Sequence, residues 1–156
     1  MSDEINARLS QLGITLPQAA APAANYVPYV ISGNMLTISG QLPMENGKVA
    51  VTGHLGRNVD VATGQRAAEL CAINILSQAS AALGGDLGRI KRLIKLNGFV
   101  ASVPEFGEQH LVINGASNLL ATVLGDAGKH ARAAVGMAAL PFNAAVEIDA
   151  IMEIGE

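Results

Sequence analysis

The chain carries one cysteine, no tryptophan and only 3% aromatic residues among its 156. A lone Cys71 cannot close an internal disulfide, so no covalent staple is available to the fold. His54, His110 and His130 are too dispersed to make a ligand cluster of zinc spacing, and no metal is expected. The shortage of aromatics removes the stacking platform that single-stranded nucleic acid requires. Positive charge is also short: 10 Lys and Arg against 13 Asp and Glu leave a formal net charge of -3, with no basic stripe to follow duplex phosphates. DNA is therefore not an expected partner, and nothing in the composition points to RNA. The opening "MSDEINARLSQLG" has acids at once and no uninterrupted apolar core, unlike a secretory signal or a membrane span. A cytoplasmic protein with no membrane partner is expected. "GGDLG" at 84–88 lacks the lysine and spacing of a phosphate loop and reads as a helix stop.

What is present is apolar material: 50% hydrophobic residues in a chain of this length suffice for one domain over 1–156 with a sizeable core. Ile5, Leu9 and Leu12 recur at helical spacing before Gly13, and "PQAAAPAANYVP" breaks that pattern. Residues 1–21 are thus expected to be an N-terminal helix and connector attached to the domain. "YVISGNMLTISGQ" predicts strands over 29–32 and 35–39 around a Gly33-Asn34 hairpin, and "ENG" at 45–47 predicts the next turn. Between 63 and 83, Ala68, Ala72, Ile75, Ala79, Ala82 and Leu83 form one helical stripe, whose alanines permit close approach to what lies beneath. The latter half of "RIKRLIKLNGFVAS" reads as a strand. Val112, Ile113, Ala116, Leu119, Leu120, Val123 and Leu124 give a second helix with a wide apolar face. "AVEIDAIMEI" alternates cleanly, core on one side and mostly acid on the other. The order is helix, then β-β-α-β-α-β-β, an α+β fold in which two helices cover one face of a sheet. The other face needs a cover, which suggests oligomerisation.

One segment poses a chemical question. In "HARAAVGMAALP", read as a strand over 130–138, His130, Arg132, Ala134, Gly136 and Ala138 share a face. A guanidinium there stands over almost no side chain. Arg132 could pair with Glu147 or Asp149 across neighbouring strands, or serve as a fork of donors for a planar carboxylate, with Ala134 and Gly136 leaving room for a small acid.

The motifs "SGQLP" at 39–43, "NG" at 114–115, "HAR" at 130–132, "LP" at 140–141 and "VEIDAI" at 146–151 resemble, in that order, the YjgF/RidA family, also labelled endoribonuclease L-PSP. The resemblance covers roughly 22–154, and "LGITLP", "NGAS" and "HARAAVG" are similar to its longer branch. It implies a chorismate-mutase-like α+β fold and a homotrimer with clefts between subunits. It also implies hydrolysis of reactive enamines and imines such as 2-aminoacrylate, with no cofactor. By the same resemblance Arg132 holds the substrate carboxylate and Glu147 places or activates water. Tyr29, Asn114 and Gly40 are implied to line the cleft. Ala133 and Ala134 stand where the family often has serine and cysteine, and His130 where its deaminases often have proline. On the strand face of Arg132, His130 is a candidate acid-base group. Two alternatives share the resemblance: a noncatalytic trimer that binds small carboxylate metabolites, and an endoribonuclease.

Overall fold

A computed structural model describes residues 2–156. Its first element, α1 (Ser2–Gln11), buries Ile5 and Leu9 and ends at Gly13, which takes φ +70°. Leu12 lies beyond the last helical residue and is exposed, so only two of the three spaced leucine and isoleucine positions reach the core. Residues 14–28 have no regular structure. A hairpin of β1 (Tyr29–Ser32) and β2 (Met35–Gln41) follows, its turn made by Gly33 at φ +59°. A small hairpin of β3 (Met44–Glu45) and β4 (Lys48–Val49) comes next, closed by Asn46 and Gly47, both at positive φ as the tight hairpin turn demands. Then come α2 (Val61–Ala82), β5 (Ile90–Ala101), α3 (Gln109–Leu124), β6 (Ala131–Met137) and β7 (Val146–Ile154).

Five strands form one mixed sheet in the order β1-β2-β7-β5-β6. Neighbours are antiparallel except β5 and β6, which are joined through α3 and run parallel, as a β-α-β crossover requires. The helices α2 and α3 lie on one face. Beneath them pack Leu36 and Ile38 of β2, Leu93, Leu96 and Val100 of β5, and every second residue of β7 from Val146 to Ile154. The opposite face carries Val30, Lys95, Asn97, Phe99, Val135, Glu147, Asp149 and Ile151, and Val30 and Val135 are exposed there. The expected α+β class with helices on one face is what the chain adopts.

Two strands are longer than the sequence pattern suggested. β5 begins at Ile90, and β2 continues to Gln41. The ladder to β7 slips between Ile90 and Arg92, between Leu93 and Lys95, and between Ile38 and Gln41. Each slip breaks the two-residue alternation by which a strand is recognised.

The helices meet where α3 has Gly115. A methyl group there would overlap the backbone carbonyl of Gln65 in α2, so the two helices pack backbone to backbone at this point. Gly115→Ala is expected to destabilise the fold by about 1–3 kcal/mol, because the obstacle is main chain and cannot rotate away. Urea unfolding checks this, and an unchanged midpoint contradicts it.

Candidate functional site

Arg132 does not stand over an empty surface. Its β6 position pairs with Leu96, which faces the helices, so the side chain runs under α3. There Nη1 donates to Asn114 Oδ1 at 2.9 Å and to Ser117 Oγ at 3.1 Å, and Nη2 donates to the His110 carbonyl at 2.9 Å. His110, Asn114 and Ser117 recur at i, i+4 and i+7, one polar stripe of α3 turned toward the strand. All three acceptors are uncharged, and among the described residues Arg132 has no carboxylate partner. Partial burial lowers its pKa from the ordinary arginine value. The result is a guanidinium fixed in direction and lacking a counter-ion.

The small residues of β6 serve the helix as much as any ligand. Ser102 Oγ and Gln109 Nε2 lie 2.8 and 2.9 Å from where a Gly136 Cβ would stand, so the room expected at Gly136 is already occupied. Ala134 packs against the core. The ion pair of Arg132 with Glu147 or Asp149 that the sequence left open does not form. β5 separates β6 from β7, Glu147 and Asp149 point to the opposite face, and Asp149 accepts from Asn97 at 2.7 Å.

His130 precedes β6 and joins the same network. Its Nδ1 lies 2.6 Å from the Gly128 carbonyl, which can only accept, so Nδ1 is the protonated nitrogen. Nε2, 2.9 Å from Ser117 Oγ, then accepts from the hydroxyl. Both ring nitrogens are engaged, and His130 orients the Ser117 hydroxyl that receives Arg132. Ser117 was not singled out in the sequence. The signal was its place on the 110, 114 and 117 stripe, which flanks the apolar face of α3.

Glu147 and Gly40 form a second, separate group. The β2 ladder slips at Ser39 and Gly40, and the Glu147 carboxylate turns into the space that a side chain at 40 would fill. Among the described residues this carboxylate has no hydrogen-bond or ion-pair partner. Its pKa is raised above 4.5, first by burial and then by the neighbouring charge of Asp149. Tyr29, at the start of β1, pairs with Ile38 and packs against the helix-side core instead of joining Glu147. β1 and β6 are the two edges of the sheet, four strand spacings or about 19 Å apart. Within one chain, then, Arg132 and Asn114 come together, Glu147 and Gly40 come together, and Tyr29 stands apart from both. Cys71, buried in α2 with Sγ 3.7 Å from the Val146 carbonyl, has its pKa pushed well up by burial and by Glu147, as befits an inert core thiol.

The fold has counterparts among known proteins. The family model described as "YjgF/chorismate_mutase-like, putative endoribonuclease" matches residues 6–154, and the chain belongs to that family. A Trypanosoma cruzi protein called TCP17 is 54% identical over 154 residues, 98% of this chain and 96% of that one. The crystal structure of Atu1372 from Agrobacterium tumefaciens is 73% identical, covers 99% of this chain and 94% of its own, and superposes with a TM-score of 0.94. Escherichia coli TdcF, solved with bound serine, is 25% identical over 88% of this chain and 94% of its own, with a TM-score of 0.63. No helix among the described residues is long and apolar enough to cross a membrane.

Glu147 supplies a stability prediction. Its raised pKa means the ionised form is disfavoured in the folded state, a cost absent below the unfolded pKa and complete above the folded one. Glu147→Gln should raise the melting temperature at neutral pH, and the difference should vanish at a pH where Glu147 is protonated. Melting curves across that range test it, and a variant less stable at neutral pH contradicts it.

Proposed function

We propose that this chain hydrolyses reactive enamines and 2-imino acids to 2-oxo acids and ammonia, at clefts completed by a second copy of itself in a homotrimer. The observation that carries the reading is the Arg132 guanidinium, locked by three neutral oxygens with its charge uncompensated. Such a group fits a planar carboxylate by two parallel hydrogen bonds. Support for a second copy is the separation of the parts. Arg132 and Asn114 lie under α3 at one edge of the sheet, Glu147 and Gly40 on the open face, and Tyr29 at the far edge. The exposed Val30 and Val135 give that open face apolar surface to bury. TdcF, a structural relative, was solved holding serine, a small carboxylate-bearing amino acid.

An enamine of the 2-aminoacrylate type first tautomerises to the imine, its terminal carbon taking a proton from water as its nitrogen gives one up. The chemistry then needs little from the protein. The imine carbon is already electrophilic. Arg132 holds the carboxylate and sets the orientation of C=N. Ionised Glu147, desolvated and unpaired, accepts a proton from water as the water oxygen bonds to that carbon. The nitrogen takes that proton from Glu147 to give the carbinolamine, which collapses as its hydroxyl proton passes through Glu147 to the nitrogen, the C–N bond breaks and ammonia leaves, giving the 2-oxo acid. The balance is imino acid plus water to oxo acid plus ammonia, with no redox change and no step that calls for a cofactor.

A noncatalytic carboxylate binder is the second reading, favoured by Ala133 and Ala134, which offer no hydroxyl or thiol beside Arg132. A coupled assay separates the two. An amino-acid oxidase generates 2-imino acids, and ammonia release is followed with and without the protein. The proposal predicts acceleration. Binding of 2-oxobutanoate with no acceleration at any pH overturns the deaminase and leaves the binder.

Two substitutions probe the roles. Arg132→Lys should lower kcat/KM by about tenfold or more, since a point charge cannot orient a planar group. Glu147→Gln should lower kcat by about a hundredfold while carboxylate binding persists. In the unsubstituted protein kcat/KM should rise with pH through the Glu147 pKa, with a midpoint above the ordinary carboxylate value of 4.5. Losses that merely follow the folded fraction contradict both roles.

A further inference from the structure

Beside Gly40 lies a cavity of about 250 Å³ that the N-terminal arm completes. Ala20 and Tyr26 of the connector, Leu42, Phe142 and Gln78 of α2 are among the residues that line it. Tyr26 and Phe142 are 47% and 67% exposed, large aromatic surfaces in a chain that has few. Phe142 is held at φ +58°, a left-handed conformation unfavourable for a bulky side chain. Among the lining residues no side chain is charged.

Two buried amides line the cavity: Gln41, whose Nε2 donates to the Ser39 carbonyl, and Gln78, the more deeply buried at 1% exposed. Its Nε2 donates to the Ala20 carbonyl at 2.8 Å, which fixes the amide: the flipped form would set two oxygens against each other. Its Oε1 is left without a donor. A buried acceptor with no partner is costly, and a mostly apolar cavity whose lining includes one such unpartnered acceptor suits a ligand with an apolar body and one N–H or O–H. Gly40 ties this cavity to the site, because it lines the cavity and also receives the Glu147 carboxylate.

We propose that the cavity receives the substrate side chain and selects 2-imino acids whose aromatic side chain carries its own donor, a phenol hydroxyl or an indole N–H, for Gln78 Oε1. This rests on the reading above, in which Glu147 and Gly40 border the reacting carbon. The apolar walls disfavour charged side chains, and Tyr26 and Phe142 flank the ring.

Calorimetric titration of the full-length protein with three 2-oxo acid products tests it. Phenylpyruvate should bind about tenfold tighter than pyruvate as its ring leaves water. 4-Hydroxyphenylpyruvate should gain a further three- to tenfold or so from its hydroxyl. Gln78→Leu should remove the second gain, and Phe142→Ala, at an exposed position, should reduce the first. Equal binding of pyruvate and phenylpyruvate, lost in Arg132→Ala, overturns the cavity assignment and leaves the carboxylate reading standing. A hydroxyl gain that is absent, or that survives Gln78→Leu, overturns the role of Gln78 and with it the selected class. No binding of any of the three, or binding indifferent to Arg132→Ala, overturns both.

Discussion

The guanidinium of Arg132 is held by three oxygens, none of which carries a charge. That arrangement explains more of the molecule than any other contact. A half-buried cation would ordinarily be offset by a nearby carboxylate, and here α3 supplies only a hydroxyl, an amide oxygen and a main-chain carbonyl. To do so α3 must lie close over β6, which accounts for Ala134 and Gly136 on the strand and for the stripe of His110, Asn114 and Ser117 on the helix. His130 turns the Ser117 hydroxyl by accepting its hydrogen bond, so the network ends at the Gly128 carbonyl. The charge is held in place and left for something else to neutralise.

The sheet decides where that something must come from. Arg132 and Glu147 sit two strands apart on opposite faces, and no rotamer change carries either through the sheet. Each group lacks a charged partner: a guanidinium with no carboxylate, and a desolvated carboxylate with no cation. On the proposed reading a neighbouring copy brings the missing half, and the same contact covers the apolar residues of the open face. One interface would thus serve burial and catalysis together.

Much of this was legible in the sequence, and the failures have physical causes. β7 and α3 kept strict periods and were readable residue by residue. β5 and β2 were foreshortened because register slips near 91, 94 and 39–40 interrupt their alternation. Placement of Arg132, Asn114, Glu147 and Gly40 rested on family resemblance, and the structure brings them together in two pairs. The open choice of an Arg132 ion pair reflected strand order, which local pattern cannot give. The parallel β5-α3-β6 crossover puts α3 directly over β6, and from that topology the polar stripe with Ser117 follows. The cavity at Gln78 was invisible for a similar reason: its walls come from the connector, α2, β2 and the turn after β6, which only the tertiary fold unites.

The most direct test of a site shared between copies is subunit mixing. Arg132→Ala and Glu147→Gln are purified as separate, inactive proteins, mixed in equal amounts under conditions that allow exchange, and assayed for ammonia release. If each site takes Arg132 from one copy and Glu147 from another, random mixing restores about a quarter of the sites, and activity returns toward that level. If both groups act from the same chain, the mixture stays as inactive as its components, and the account is contradicted.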